Sequence, residues 1–254
     1  MQKTALVTGA SAGFGAALAR LLCAKGWRVI ASARRAERLA ALQAELGENL
    51  YPLAFDIRDL AAMDAAIDSL PAAWQDIDLL VNNAGLALGL EKAPECNLEQ
   101  WLQMIDTNVR GLVAITRKIL PQMIKKNSGH IINISSIAGN YPYPGSNVYG
   151  ASKAFVSQFS LNLRADLFGT AVRVSNIEPG LTDGTEFSDV RFSGDSAKAR
   201  EVYRGVQGKN MTGEEIADII LWVAEQPAHI NVNRIEIMPV AQSFAGLQVA
   251  KGNF

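Results

Sequence analysis

The chain has 254 residues, 24 Lys plus Arg against 25 Asp plus Glu, and 49 % apolar residues; it can bury a sizeable core, which excludes a disordered chain. A net charge of -1 leaves no general positive field for nucleic acid or anionic lipid, so any anion recognition must be local and the expected partner is a small molecule. Two cysteines, Cys23 and Cys96, and two histidines, His130 and His229, make neither a disulfide framework nor a Cys/His metal site, and no metal is expected.

The apolar run at the N-terminus, Ala5 to Thr8, is too short for a signal-peptide core and reads as a buried strand. Nowhere do about 18 apolar residues follow one another, so no membrane span is expected and the expected location is the cytoplasm. Further along, short runs rich in Val, Ile and Leu alternate with stretches of helical spacing, the pattern of repeated βαβ units. Strands are expected at Ala5–Thr8, Arg28–Ala33, Leu50–Phe55, Leu79–Asn82, His130–Ser135, Ala171–Glu178 and Arg234–Met238. Helices are expected at Gly13–Lys25, Arg35–Leu46, Leu60–Leu70, Leu98–Lys126, Val148–Phe168 and Gly213–Glu225. No linker or charge block divides the chain, which predicts one α/β domain over residues 1–254, a doubly wound parallel sheet of about seven strands. The glycine-bearing stretch from Gly180 to Lys209 is long for a connection; it is either a substrate lid or a mobile surface insertion.

Directly after the first strand stands T-G-A-S-A-G-F-G, with Gly9, Ser11, Gly13, Phe14 and Gly15, followed by an alanine-rich helix. Glycines there allow a tight turn and let backbone N–H groups and a helix N-terminus approach a pyrophosphate. An NAD site would carry a carboxylate at the end of the second strand to meet the ribose hydroxyls. Here stand Ser32, Ala33, Arg34 and Arg35, and two guanidinium groups would clasp a 2′-phosphate instead, so the expected cofactor is NADP(H). The alternative is that both arginines only solvate the following helix, where a first-turn cation is slightly unfavourable.

Tyr149 and Lys153 in Y-G-A-S-K lie four residues apart, on one face of a helix. An ammonium beside a phenol favours the phenolate and brings the tyrosine towards the working pH as a general acid/base. Ser136, thirteen residues before Tyr149 at the end of a strand, offers a hydroxyl to a substrate carbonyl or alkoxide oxygen.

With these residues the chain resembles the short-chain dehydrogenase/reductase family over essentially its whole length, through T-G-A-S-A-G-F-G, N-N-A-G at Asn82 to Gly85, D-T-N-V-R-G, I-S-S, Y-G-A-S-K and I-E-P-G. The resemblance implies a Rossmann-type sheet with Tyr149 as acid/base, Lys153 lowering its pKa and binding the nicotinamide ribose, Ser136 polarising the carbonyl, and Asn108 positioning a relay water. It also implies adenine contacts at Asp56 and Ile57, Asn83 beside the ribose, Pro179 and Gly180 at the nicotinamide, and a homotetramer closed by the long helices and the apolar tail at about 240–254. The family's threonine after Pro-Gly is displaced here by an inserted residue, and either Thr182 or Thr185 serves in its place.

Within the family the chain is most similar to NADP-dependent 3-hydroxy acid dehydrogenases acting on L-serine, L-allo-threonine or 3-hydroxypropionate and malonate semialdehyde, through L-V-N-N-A-G-L-A-L-G and the G-T-E-F-S-D-V-R-F loop among other stretches. It is similar, too, to sulfoacetaldehyde reductases, whose substrate pairs an aldehyde with a sulfonate. Arg191 is the lid cation placed to meet such an anion, or else a solvated loop arginine; Tyr143 and Asn147 flank the tyrosine helix where a small substrate would sit. A non-catalytic NADP(H) sensor needs neither the serine nor the tyrosine, so the complete set of Asn108, Ser136, Tyr149 and Lys153 points to an oxidoreductase acting on CH–OH groups.

Overall fold

The structure, a computed structural model, describes residues 2–192, 194–195, 197 and 209–244; the rest of the expected lid and the tail from residue 245 lie outside the described residues. The first half runs β1 (Thr4–Thr8), α1 (Gly13–Ala24), β2 (Arg28–Ala33), α2 (Ala36–Leu46), β3 (Leu50–Ala54), α3 (Leu60–Asp68) and β4 (Leu79–Asn82). The second half runs α4 (Leu98–Ile105), α5 (Leu112–Lys125), β5 (Gly129–Ile134), α6 (Asn147–Asp166), β6 (Val172–Pro179), α7 (Phe187–Arg191), α8 (Gly213–Ala224) and β7 (Arg234–Ile237).

All strand pairs are parallel and the sheet order is β3-β2-β1-β4-β5-β6-β7. Alternation along each strand sends neighbouring side chains to opposite faces. Ala5, Val7, Val29, Ala31, Val81 and Ile132 therefore pack against Leu18 and Leu22 of α1 and Ile216 and Ile220 of α8. Leu6, Ile30, Leu80 and Ile131 pack on the other face, against Met63 of α3, Ile115 and Ile119 of α5 and Leu163 of α6. Burial on both faces is why these strands read as continuous apolar runs. Chain order reverses between β1 and β4, and a crevice opens beyond their carboxyl ends.

The expected single helix Leu98–Lys126 is interrupted by a π-helical turn, Asp106–Gly111, between α4 and α5. Gly111 in that turn lies so close to the strand-end loop that a Cβ would stand 2.8 Å from the Ile57 carbonyl oxygen. Leu98, Leu102 and Ile105 on α4 and Phe155 and Leu161 on α6 are exposed, on the helices that the family resemblance assigns to a subunit interface.

His130, the second residue of β5, is buried, with Nε2 2.8 Å from the Ser175 hydroxyl and Nδ1 without a hydrogen-bond partner among the described residues. Burial, with the Arg173 charge as a lesser cause, pushes its pKa down to about 3. The folded state thus holds a neutral imidazole, so stability is complete above the ordinary histidine range and falls as the pH drops below about 6.5, by up to about 1.4 kcal/mol per pH unit. Urea midpoints measured between pH 7 and pH 5 should decline in the native protein and stay flatter in His130→Gln; equal slopes would remove this histidine as the cause.

Candidate active site

The crevice begins at the turn after β1. The Thr8 hydroxyl accepts the N–H groups of Asn83 (3.0 Å) and Ala84 (2.9 Å), tying that turn to the end of β4. Gly9 has φ +68°, and a Cβ on it would stand 2.9 Å from the Ala84 Cα; one on Gly15 would stand 2.5 Å from the Gly9 carbonyl oxygen. Only glycine allows this closure, and it leaves the start of α1 facing the crevice, as a pyrophosphate cradle requires. Asn83, expected beside the ribose, has its amide drawn the other way: Nδ2 donates to the Thr8 carbonyl oxygen at 2.8 Å and clamps the turn.

Arg34, Arg35, Asp56 and Ile57 line the same groove beside Gly9, Ser11, Gly13 and Phe14. Arg35 donates through Nε (3.2 Å) and Nη2 (2.9 Å) to the Ser11 hydroxyl and through Nη1 (2.8 Å) to Glu186. Arg34 has no hydrogen bond or ion pair among the described residues and stands exposed at the groove. Asp56 is held below the usual carboxylate range chiefly by its hydrogen bonds with the Arg58 side chain, a 2.7 Å ion pair. A cationic rim whose two nearby carboxylates, Asp56 and Glu186, are both already paired with arginines suits a 2′-phosphate better than a ribose hydroxyl.

Helix α6 puts Tyr149 and Lys153 on one face, with the Lys153 ammonium 5.9 Å from the Tyr149 ring centroid. The ammonium donates to the Ile134 carbonyl oxygen at 2.9 Å. Both side chains are buried, and burial drives their pKa values apart by favouring the neutral form of each: Tyr149 is pushed up to about 12 and Lys153 down to about 8. The Ser136 hydroxyl and the Arg191 charge pull the tyrosine back, less strongly than burial raises it. Lys153, expected to lower the phenol, does not figure among the groups that shift it, and desolvation sets the direction in the protein alone. Ser135 donates to the Lys153 carbonyl oxygen at 2.6 Å and locks α6 to β5, which leaves Ser136 as the serine turned to the tyrosine.

Asn108 sits in the π-helical turn and is buried. Its Oδ1 accepts the Leu86 N–H (2.9 Å), and Nδ2 donates to the Leu86 carbonyl (2.8 Å) and the Ser152 hydroxyl (3.0 Å). The amide therefore frames the loop after β4. A Cβ on Gly85 would stand 3.2 Å from Lys153 Nζ, so glycine keeps that side of the ammonium open.

Arg191, 42 residues beyond Tyr149 in the chain, is buried beside it with its guanidinium carbon 5.7 Å from the ring centroid. Its Nε donates to the Gly89 carbonyl (3.1 Å) and Nη2 to the Tyr143 hydroxyl (3.2 Å). Thr185 lines the groove, whereas the Thr182 hydroxyl donates to the Gly180 carbonyl and Thr182 bridges to Met211; of the two threonines, Thr185 is the one at the site. The Pro179 carbonyl accepts from Ser136 at 3.4 Å, and the Gly180 N–H donates to the Ile237 carbonyl oxygen at 2.7 Å. Asn147 departs from its expected place: its amide donates to the Glu91 carbonyl (3.3 Å) and the Cys96 sulfur (3.2 Å), which makes it a brace for that loop. Glu186, Phe187 and Arg38 were not anticipated, because the segment that brings them together has no periodicity to read. Among the described residues no group of three or more His, Cys, Asp or Glu could hold a metal ion, and no helix is long and apolar enough to cross a membrane.

The chain is similar to known proteins over nearly its whole length. A "Probable NADP-dependent dehydrogenase" of Haemophilus influenzae is 62 % identical over 248 residues, 98 % of each chain. The "NADP-dependent 3-hydroxy acid dehydrogenase YdfG" of Salmonella typhi is 59 % identical over 244 residues, 96 % of this chain and 98 % of that protein. A solved structure described as the closed form of serine dehydrogenase complexed with NADP+ superposes with a TM-score of 0.96 at 55 % identity, covering 98 % of this chain and 100 % of that one. The short chain dehydrogenase family profile matches residues 3–195, and the chain belongs to that family.

Proposed function

We propose that the protein is an NADP(H)-dependent dehydrogenase of short 3-hydroxy acids, working reversibly on compounds of the L-serine, L-allo-threonine or 3-hydroxypropionate type. The observation that carries the substrate class is Arg191, a buried guanidinium held 5.7 Å from the Tyr149 ring centroid. Two of its donors are taken by Gly89 and Tyr143, and Nη1 has no hydrogen bond among the described residues, so a substrate carboxylate can complete the set. The names of the relatives, 3-hydroxy acid and serine dehydrogenases, support a carboxylate over a sulfonate.

The glycine turn receives the pyrophosphate, and Arg34 and Arg35 the 2′-phosphate. When bound, NADP+ would supply the hydride acceptor and a positive ring charge. Ser136 holds the substrate oxygen, Tyr149 takes its proton during oxidation or returns one during reduction, and Lys153 balances the charge of the phenolate. Asn108 keeps the loop after β4 in place and leaves the Gly85 side of Lys153 open to a relay water.

The test is a substrate panel with NADPH. Malonate semialdehyde should exceed propionaldehyde in kcat/KM by at least about tenfold, as one charged hydrogen bond of about 1.5 kcal/mol requires. Arg191→Ala should erase most of that preference while propionaldehyde turnover changes little. Equal efficiency of the two aldehydes in the native enzyme would sink the anionic-substrate reading. Sulfoacetaldehyde in the same panel, turned over better than the carboxylate, would move the assignment to a sulfonate.

A further inference from the structure

Residues 185–191 cross the crevice from one end to the other. At the cofactor end Thr185 lies against the glycine turn, 3.5 Å from where a Cβ on Gly13 would stand. The next residue, Glu186, offers its two carboxylate oxygens to two arginines, Oε2 to Arg35 Nη1 at 2.8 Å and Oε1 to Arg38 Nη1 at 2.5 Å. Phe187 then packs on Tyr149 with ring centroids 5.7 Å apart, and Val190 lines the groove. At the substrate end Arg191 is fastened to Gly89 twice, through Nε and through its own carbonyl, which accepts the Gly89 N–H at 2.9 Å. One short strap thus joins the arginines of the phosphate end to the guanidinium beside the acid/base.

We infer that Glu186 is a positioning residue: by bridging Arg35 and Arg38 it latches this strap across the dinucleotide groove and so fixes where Phe187 and Arg191 stand against Tyr149. The inference rests on the reading of the groove as an NADP(H) site. The geometry favours a latch because Glu186 makes the only hydrogen-bonded or ionic link between the strap and the start of α2 among the described residues, while Gly89 holds the far end independently. The electrostatics suit one that reopens. Both ion pairs are about half exposed, and pairs of that kind are individually weak, so the strap is held closed but released at each turnover without a large barrier.

A different role for the same carboxylate would be competition with the 2′-phosphate for Arg35. The two roles predict opposite signs. With the latch broken, cofactor leaves faster with or without the 2′-phosphate, because the strap covers the groove common to both dinucleotides. With a competitor removed, NADPH is held longer and NADH is unaffected.

Stopped-flow release of NADPH and of NADH, measured for the native enzyme, Glu186→Gln, Arg38→Gln and the double variant, separates them. Glu186→Gln is expected to release both cofactors about three- to tenfold faster, the combined effect of two weak surface pairs. Arg38→Gln should show part of that acceleration, and the double variant should be no faster than Glu186→Gln within about twofold, since both changes break one interaction. KM for the anionic substrate should rise by a similar factor with kcat unchanged or increased, a split that a general loss of structure would not give. Unaltered release of both cofactors, slower release of NADPH, or additive effects of the two substitutions would each overturn the latch. The cofactor reading fails separately, by a native enzyme that shows no preference for NADPH over NADH.

Discussion

Tyr149→Phe is expected to reduce turnover by roughly a hundred- to ten-thousandfold, the usual worth of a positioned proton carrier, while NADPH binding stays within about threefold. The substitution removes one oxygen and leaves the packing of the ring intact: Phe187 lies against it at 5.7 Å between centroids and the Arg191 guanidinium carbon stands 5.7 Å from its centre. Among the described residues no other phenol beside the site is free to substitute, since the Tyr143 hydroxyl accepts from Arg191 and the Tyr141 hydroxyl donates to Glu236 at 2.9 Å. Cofactor fluorescence titration and turnover, measured on one preparation, separate the two effects, and near-native turnover would exclude Tyr149 as the acid/base. The pH dependence carries a sign as well. Burial pushes the phenol up to about 12 and the Lys153 ammonium down to about 8, so the protonated tyrosine dominates at neutral pH. Aldehyde reduction, which consumes that proton, should hold at neutral pH and fall in alkali; alcohol oxidation, which needs the phenolate, should rise with pH. Both slopes should disappear in Tyr149→Phe.

Much of this site is legible in the residues because its parts are short and local. The glycine turn, Tyr149 with Lys153 one helical turn on, and Ser136 against its neighbour Ser135 are each decided by spacing, and the structure puts them where spacing says. The central strands are equally plain, since burial on both faces makes β1 and β4 nearly continuous apolar runs, whereas β6 and β7 carry charged residues among the apolar ones. The difficulties arose where a side chain can turn either way. Asn83 and Asn147 flank the site motifs in sequence, yet each amide turns to the scaffold, Asn83 to the Thr8 carbonyl and Asn147 to the Glu91 carbonyl and the Cys96 sulfur, and a sequence does not show which way an amide will turn. The π-helical turn at Asp106–Gly111 was likewise invisible to periodicity, because one wider turn inside a long helix shifts the apolar stripe by less than one residue's width. The strap carries the least signal of all. Arg191 could be singled out as a cation in a long loop, but its place beside Tyr149 depends on Gly89, 102 residues earlier, accepting and donating to it.

Arg34→Ala should weaken NADPH binding by roughly 10–100-fold and leave NADH binding nearly unchanged, the loss of one charge-assisted hydrogen bond of about 1.5–3 kcal/mol. The structure separates the two arginines that the sequence placed side by side. Arg35 is engaged with Ser11 and Glu186, so it serves the turn and the strap as well as any phosphate. Arg34 lines the same groove with no hydrogen bond or ion pair among the described residues, which leaves its guanidinium whole for the phosphate. The two alanine variants should therefore differ in kind. Arg34→Ala discriminates between the cofactors, because only NADPH carries the group that it meets. Arg35→Ala removes a phosphate contact and one half of the Glu186 bridge together, so it should weaken NADH as well, by the few-fold expected of a weak surface pair. Equilibrium titration of both variants with both cofactors gives four constants to compare with the native pair. Equal losses of NADPH and NADH in Arg34→Ala would mean that its charge acts on the groove as a whole, and the assignment of the 2′-phosphate to this residue would then be wrong.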